Sequence, residues 1–493
     1  MPFEIDYLAL APELIIVGTM IVVLALDLSL PRAQKYWTAT VSVAGAGLAL
    51  IPLGILAIND EVVAMFDGSY VVDEFAIVLK GLFLVSAYIV FLMSVQYIER
   101  ERYYQGEYYF LLLASVLGSL VMASSRDLIV LFIGLELVTG PLFLLTGWRK
   151  GDVKSNEASM KYFILGVLST AILLYGMSLV FGLTGQVTFA GIAEATAGMS
   201  DSPTLVMAIL FLMVGFGFKV AAVPFHFWAP DTYEGAPTPI TAYLSVNSKA
   251  AGFVALLIVM YQALPGVSDI WAPALWLLAA LSMTIGNLTA LRQTNIVRLL
   301  AYSSIAQAGF MLVPFAAAAV ADVDLEQAFG ATLIYLVIYA VMNLGAFAVV
   351  IAGARKTASG ELDRWAGLGK ADPILGVLTA VFFFSLAGIP PLAGWFAKFE
   401  MFRSVMIADP ATIALAVIAA VNAVIALYYY TKVIKAVWLD DPKVVLTDEA
   451  EAPPAGSLRL ALGVAVALTV AIGVYPSIAA FVRDAAHVLA SGG

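Results

Sequence analysis

Fourteen separate stretches of about 20 apolar residues recur along this 493-residue chain, each long enough to cross the hydrocarbon layer as a helix. They run over 8–29, 36–58, 75–97, 108–124, 127–147, 161–182, 203–225, 238–262, 270–291, 296–320, 327–354, 373–405, 411–436 and 456–482. The chain is 62% hydrophobic and 12% charged, whereas an average soluble domain carries about 25% charged residues. A soluble protein of this size needs far more polar surface. The expected fold is an all-α polytopic membrane protein in one membrane domain, with no linker long enough to hold a soluble domain.

Loop charges order these spans. The loops after odd-numbered helices hold Arg32, Lys35, Arg100, Arg102, Arg149, Lys150, Lys154, Lys161, Arg292, Arg298, Arg355, Lys356, Arg364, Lys370, Lys432, Lys435, Lys443 and Arg459. That is 18 of the 25 basic residues. The opposite side has only Arg126, Arg403 and Arg483, and carries acids such as Asp60, Glu61, Asp67, Asp73 and Glu74. The positive-inside rule then places both termini on the outer side. The acidic start MPFEIDYLAL has no basic stretch and does not read as a cleaved signal peptide. A bacterial or archaeal plasma membrane is the expected location.

Composition also limits the chemistry. The chain has no cysteine, which excludes disulfides, Fe–S clusters and thiolate zinc sites built from its own residues. Its two histidines, His226 and His487, are far apart, so a bis-His haem is not expected, and His487 is assigned no chemical role. No basic patch supports nucleic-acid binding. Any redox chemistry belongs to partners.

Four lysines remain, Lys80, Lys219, Lys249 and Lys398, and all lie inside apolar spans. Glu136 is the clearest intramembrane acid. A charge at mid-bilayer costs at least ~2.5–3.5 kcal/mol, so such residues face a bundle interior or a wet cavity and find partners. Glu136 lies midway along the fifth span in LFIGLELVTGPLFLL, one turn before Pro141, which loosens the helix. It reads either as a proton-relay carboxylate balanced by a lysine or as half of a structural ion pair. Lys249 sits among Ser245, Asn247, Ser248, Ala250 and Gly252, which suit a wet or tightly packed interior. Lys80, two turns from the outer end of the third span, reads as a snorkelling lysine. Glu13 reads as an interface or helix-start residue, and Glu400 is left unassigned.

Two spans should break. Lys219 is followed by Pro224 and Pro230, and Lys398 by position follows Gly388, Pro390, Pro391 and Gly394. Broken helices free backbone groups that must be satisfied by protein or water, and transporters use such breaks as ion sites. Burial weakens an ammonium group's hold on its proton, which makes intramembrane lysines usable carriers. His226 lies in the first break and either closes it structurally or relays protons between Lys219 and Lys249. Lys398, beyond the second break, reads as the terminal carrier.

These residues carry a resemblance. The stretches FKVAAVPFHFWAPDTYEGAPTPITAYLSVNSKAAGF (218–253), LAYSSIAQAGF (300–310), SLAGIPPLAGWFAKF (385–399) and SNEASMKYFILGVLSTAILLYG (155–176) resemble the antiporter-like membrane subunits of respiratory complex I, the proton-pumping NADH-quinone oxidoreductase. The resemblance spans roughly residues 8–480. The subunit N branch fits best, because Lys398 stands where subunit M carries Glu, the chain is too short for the lateral helix of subunit L, and the early PEL (12–14) is similar. Proton-antiporter subunits of multisubunit sodium/proton antiporters are the nearest alternative.

The resemblance implies two inverted five-helix repeats, helices 4–8 (108–262) and 9–13 (270–436), after three N-terminal helices (1–107) and before a C-terminal helix (456–482), with helices 7 and 12 broken. It implies a proton relay through Glu136, Lys219, Lys249 and Lys398, with His226 a further candidate. It places FMN, Fe–S clusters and quinone in partner subunits, none in this chain, and it names subunit M and the small subunits K and J as neighbours in the bilayer. NADH, ferredoxin or a reduced deazaflavin could each supply the electrons. Two positions depart from the family: Val297-Arg298 replaces Lys-Arg, and Gln307 replaces a common His. Glutamine cannot ionise, so Tyr302, Ser303, Ser304, Gln307 or water must serve there.

Overall fold

The computed structural model describes residues 5–59, 61–101, 106–320, 324–406, 409–442, 456–479, 481–483 and 485–486. Asp60, Arg102, Lys443 and His487 lie outside the described residues, as does the side chain of Arg100. Among the described residues, twelve helices are long and apolar enough to cross a membrane, and two more apolar helices are shorter, Pro203–Lys219 and Pro373–Ala387. Each of these overlaps one of the fourteen apolar stretches, and the protein is an all-helical polytopic membrane protein.

The chain opens with α1 (Ala11–Ser29), α2 (Tyr36–Asn59) and α3 (Glu74–Glu101). The next elements are α4 (Gly106–Ser124), α5 (Leu128–Thr146), α6 (Val153–Thr184), a short α7 (Phe189–Thr196) and α8 (Pro203–Lys219). Then come α9 (Trp228–Gly235), α10 (Thr238–Tyr243), α11 (Lys249–Ile258), α12 (Ser268–Ala290), α13 (Ile296–Leu312) and α14 (Leu325–Thr357). The last five are α15 (Leu368–Ala371), α16 (Pro373–Ala387), α17 (Ala393–Val405), α18 (Pro410–Trp438) and α19 (Gly456–Val474). Polar caps fix where the apolar helices begin: Asp127, Asp152, Asn295, Asp324, Asp372 and Asp409 each accept from backbone N–H groups of the first turn.

Burial sorts the helices by role. Every residue of the α10–α11 apolar stretch is buried, and 94% of that of α14, against 33% for α6 and α18. The eighth span and α14 are therefore the centre of the molecule, and α6 and α18 present apolar faces outward. Two π-helical turns, Leu244–Ser248 and Val259–Ala263, interrupt the eighth span, the first ending directly before Lys249. Such turns widen a helix locally and recur at functional sites.

Both expected breaks are present. The first half of the seventh span ends at Lys219, irregular backbone follows, and α9 restarts at Trp228. The apolar stretches of the sequence stop at 225 and resume at 238, so α9 lies in a segment without a hydropathy signal. Asp231 and Glu234 hide α9 from a hydropathy argument. The twelfth span splits into α16 and α17 around a left-handed Gly388. A further difference is α6, which starts at Val153 rather than near 161, so Lys154 and Lys161 lie on its first turns.

A small hairpin was not foreseen. Strands β1 (Val63–Met65) and β2 (Tyr70–Val72) pair antiparallel with Val63 opposite Val72 and Met65 opposite Tyr70. Beneath it lies a correction. Lys80 does not snorkel: its side chain is fully buried, 2.9 Å from Glu13 Oε1 and 3.0 Å from the Tyr70 hydroxyl. Tyr70 also donates to Glu13 at 2.7 Å. Glu13 is thus a buried counter-ion within the first turn of α1, not an interface residue. Beside this triad Arg126 pairs with Asp73 at 2.5 Å. Glu400 is also buried, paired with Arg483 at 2.7 Å.

Candidate proton-relay site

Glu136 sits on α5 nine residues after the capping Asp127, about 13 Å along the helix axis. Its Oε1 accepts from the Thr170 hydroxyl on α6 at 2.9 Å and lies 3.4 Å from Lys219 Nζ. Lys219 also donates to Thr139 at 2.7 Å, so it holds two α5 side chains three positions apart, one above the other on one helix face. The pair is asymmetric: the lysine side chain is 3% exposed and the glutamate 33%. The ammonium is enclosed in protein while the carboxylate is partly exposed.

Lys219 is the last residue of α8, and its ammonium leaves the helix end for α5. Its stem packs on the eighth span: a Cβ added at Gly252 would stand 3.0 Å from Lys219 Cβ. The freed backbone of the break is satisfied internally. Ala222 N–H donates to the Gly217 carbonyl at 2.8 Å, Val223 N–H to Ser282 Oγ at 2.9 Å, and Trp228 Nε1 to the Phe218 carbonyl at 3.0 Å. Tyr162 stacks on Trp228 with ring centroids 4.7 Å apart, which ties α9 to α6.

Lys249 is buried and donates to both the carbonyl and the hydroxyl of Ser304, each at 2.6 Å. Ser304 lies on α13, so this contact links the eighth span to the second half of the chain. Among the described residues, several buried polar atoms of the eighth span and α14 lack a protein partner: Tyr243 Oη and Asn247 Oδ1 on the first, Tyr339 Oη and Asn343 Oδ1 on the second. Buried polar atoms of this kind are where water is held.

Gln307, in place of a titrating residue, is fully engaged. Its Nε2 donates to the Leu386 carbonyl at 3.0 Å and to Tyr430 Oη at 3.2 Å, and its Oε1 accepts from Tyr335 at 2.6 Å. Tyr430 also contacts Ser303 at 2.5 Å. The next carbonyl after Leu386, that of Ala387, accepts from Lys398 Nζ at 2.6 Å. Lys398 is buried, with Nζ 5.1 Å from the Phe310 ring centre. Gly388 makes this possible: its φ is +91°, and a Cβ there would stand 2.8 Å from Lys398 Cδ.

The structure therefore brings Glu136 to Lys219, and Lys249 and Lys398 to opposite flanks of a hydroxyl and amide cluster. It does not join His226 to either lysine. His226 is buried, its Nδ1 has no partner, and its ring lies on Phe227, which is 71% exposed. Thr139, Thr170, Tyr335 and Tyr430 were missed from the sequence. Thr139 was findable, three residues after Glu136 on the same face. The other three come from distant helices and leave no local signal.

Known proteins match this sequence and fold. The family described as NADH:quinone oxidoreductase/Mrp antiporter, TM, matches residues 125–425. NADH-quinone oxidoreductase subunit N of Moorella thermoacetica is 41% identical over 463 residues, 92% of each chain. A chain of respiratory complex I from Thermus thermophilus superposes with a TM-score of 0.77 at 32% identity, covering 98% of this chain and all of that one. A chain of the Mrp complex from Dietzia sp. shares the fold, with a TM-score of 0.86 at 20% identity. The chain belongs to the NADH-quinone oxidoreductase subunit N family, within the wider NADH:quinone oxidoreductase/Mrp antiporter transmembrane family.

Proposed function

We propose that this proton-translocating membrane subunit carries protons along Lys219, Lys249 and Lys398, with the Glu136–Lys219 pair as the switch. The observation that carries this reading is the 3.4 Å pair beside a broken helix, with separate polar contacts from Lys249 to Ser304 and from Gln307 to the Leu386 carbonyl, next to the acceptor of Lys398. When Glu136 is close, its charge favours the protonated lysine. When it withdraws, the proton moves on toward Lys249. Two unit charges 4 Å apart interact by roughly 4 kcal/mol at an effective dielectric near 20. Moving one charge across the membrane potential costs ~2.3 kcal/mol per 100 mV, so breaking one such pair is of the right size for one step.

Quinone reduction in partner subunits supplies the energy in this reading, with FMN, Fe–S clusters and quinone held there. The neighbours would be antiporter-like subunit M and the small subunits K and J, in a plasma membrane with both termini outside. The two broken helices would belong to inverted five-helix repeats. His226 then acts as a closing residue of the break or works through water, since no direct contact joins it to a lysine. The sodium/proton antiporter alternative rests on the family description that covers both and on the fold shared with the Mrp chain.

The test is Lys219→Ala in the assembled complex, reconstituted in liposomes, with quinone reduction and proton uptake measured together. The reading expects pumping to fall about tenfold, equivalent to ~1.4 kcal/mol on the barrier. Unchanged protons per electron would remove Lys219 from the relay.

A further inference from the structure

Six charged side chains gather where α9 meets α6 and α13. Arg298 Nη1 lies 2.9 Å from both Asp231 Oδ1 and Glu234 Oε2. Lys161 Nζ lies 2.7 Å from Asp231 Oδ2 and 2.6 Å from Glu157, and Lys154 Nζ lies 2.8 Å from Glu234 Oε1. These groups border a cavity of about 150 Å³, room for several waters. Glu157 is 58% exposed and Lys161 42%, so the outer side of the cluster meets solvent. The cluster is on the basic side of the molecule.

The residues between the two acids point the other way. Thr232, fully buried, has a hydroxyl with no partner. Tyr233 is buried, and its Oη is 3.4 Å from Ser304 Oγ. Ser304 Oγ is 2.6 Å from Lys249 Nζ. Arg298 and Ser304 share α13 six residues apart, about 9 Å along its axis. The helices that carry the charged cluster, α9 and α13, thus also carry a hydroxyl track, Tyr233 and Ser304, that leads to Lys249. An ion-pair lattice that only fastened α9 would need neither a buried unpartnered hydroxyl nor a hydroxyl contact running inward.

We propose that this track is the inlet through which protons reach Lys249, with Thr232 holding a bridging water and Tyr233 and Ser304 passing the proton. The proposal rests on the relay reading above. In each transfer Tyr233 Oη takes a proton from the water side and releases its own to Ser304 Oγ. Ser304 releases its proton to a neutral Lys249 Nζ. Both hydroxyls end neutral and the amine becomes an ammonium. Arg298, Asp231 and Glu234 are positioning residues that set α9 against α13.

The experiment uses the whole complex in liposomes and Tyr233→Phe, which keeps the ring contacts with Trp228 and Phe347 and removes only the hydroxyl. Proton uptake, quinone reduction and the solvent deuterium isotope effect are measured. The expected result is a fall in pumping of about tenfold or more, with a larger isotope effect, as for loss of one proton-transfer group. Wild-type pumping and isotope effect in Tyr233→Phe, with Lys249→Met impaired, would overturn the inlet and leave the relay standing. Normal pumping in Lys249→Met would overturn both. Should Tyr233→Phe fail to assemble, Thr232→Val, which touches no relay residue, is read by the same measurements, where loss supports the inlet and wild-type behaviour overturns it.

Discussion

Lys398 Nζ lies 2.6 Å from the carbonyl oxygen of Ala387, the last residue of the half-helix α16. Lys219 is itself the last residue of the half-helix α8. The two lysines enter their breaks from opposite directions in sequence, one ending the first half and the other reaching back from the second. The Lys398 ammonium meets the carbonyl end of α16, where the dipole stabilises a cation by roughly 0.3–2 kcal/mol, whereas the Lys219 ammonium turns to Glu136 and Thr139 on α5.

Gly388→Ala should damage this contact. The residue adopts a left-handed φ of +91°, and the added Cβ would stand 2.8 Å from Lys398 Cδ. Backbone strain of ~1–3 kcal/mol is expected, with Lys398 displaced from Ala387. Thermal unfolding of the purified complex and proton uptake in liposomes should both fall.

Gln307 holds three partners, so its replacements should separate shape from hydrogen bonding. Gln307→Leu leaves Tyr335 and the Leu386 carbonyl without their buried partner, costing about 1–3 kcal/mol for each unsatisfied group. Pumping should fall with it. Gln307→Glu keeps the shape and should retain more activity. Paired stability and pumping measurements on the two variants check this.

The Glu13–Lys80 pair lies away from the relay and should matter for stability alone. Removing one partner strands a buried charge, with an expected cost of ~3–5 kcal/mol. Glu13→Gln and Lys80→Met should each reduce the assembled, heat-stable fraction. The double variant should recover most of it and pump at the wild-type proton-to-electron ratio.

Asp372 caps α16 and pairs with Lys356 at 2.7 Å. Partial burial pushes its carboxyl up, but the Lys356 contact and the Leu375 N–H outweigh this and hold it below the usual carboxylate range. A depressed folded value means that its stabilisation is present above the unfolded value, near ~3.9, and is lost as pH falls through the folded one. Wild-type stability should therefore show this loss only below about pH 4. Asp372→Asn should be less stable by ~1 kcal/mol at neutral pH and lack that part of the acid transition. Thermal melts across pH check both.

Much of the frame was legible because each span is a local property. Apolar length marked the helices, and Pro and Gly marked both breaks. Lys80 was misread because distance from a span end is visible in sequence, whereas its partner Glu13 is 67 residues away and its cover, Tyr70, comes from an unforeseen hairpin. The helix α9 was hidden by the acids that pair with α6 and α13. The lysines of the site were visible as costly residues in apolar spans. Tyr335 and Tyr430, which hold Gln307 between them, belong to helices far away in sequence and became visible only through packing.

The central claim is that protons cross the molecule through Lys249, whose ammonium donates to Ser304 alone among the described residues. Lys249→Met in the assembled complex, with protons taken up per quinone reduced measured in sealed liposomes, tests it most directly. The account predicts that this ratio falls, or that turnover and uptake fall together by about tenfold. A wild-type ratio at wild-type turnover would contradict it.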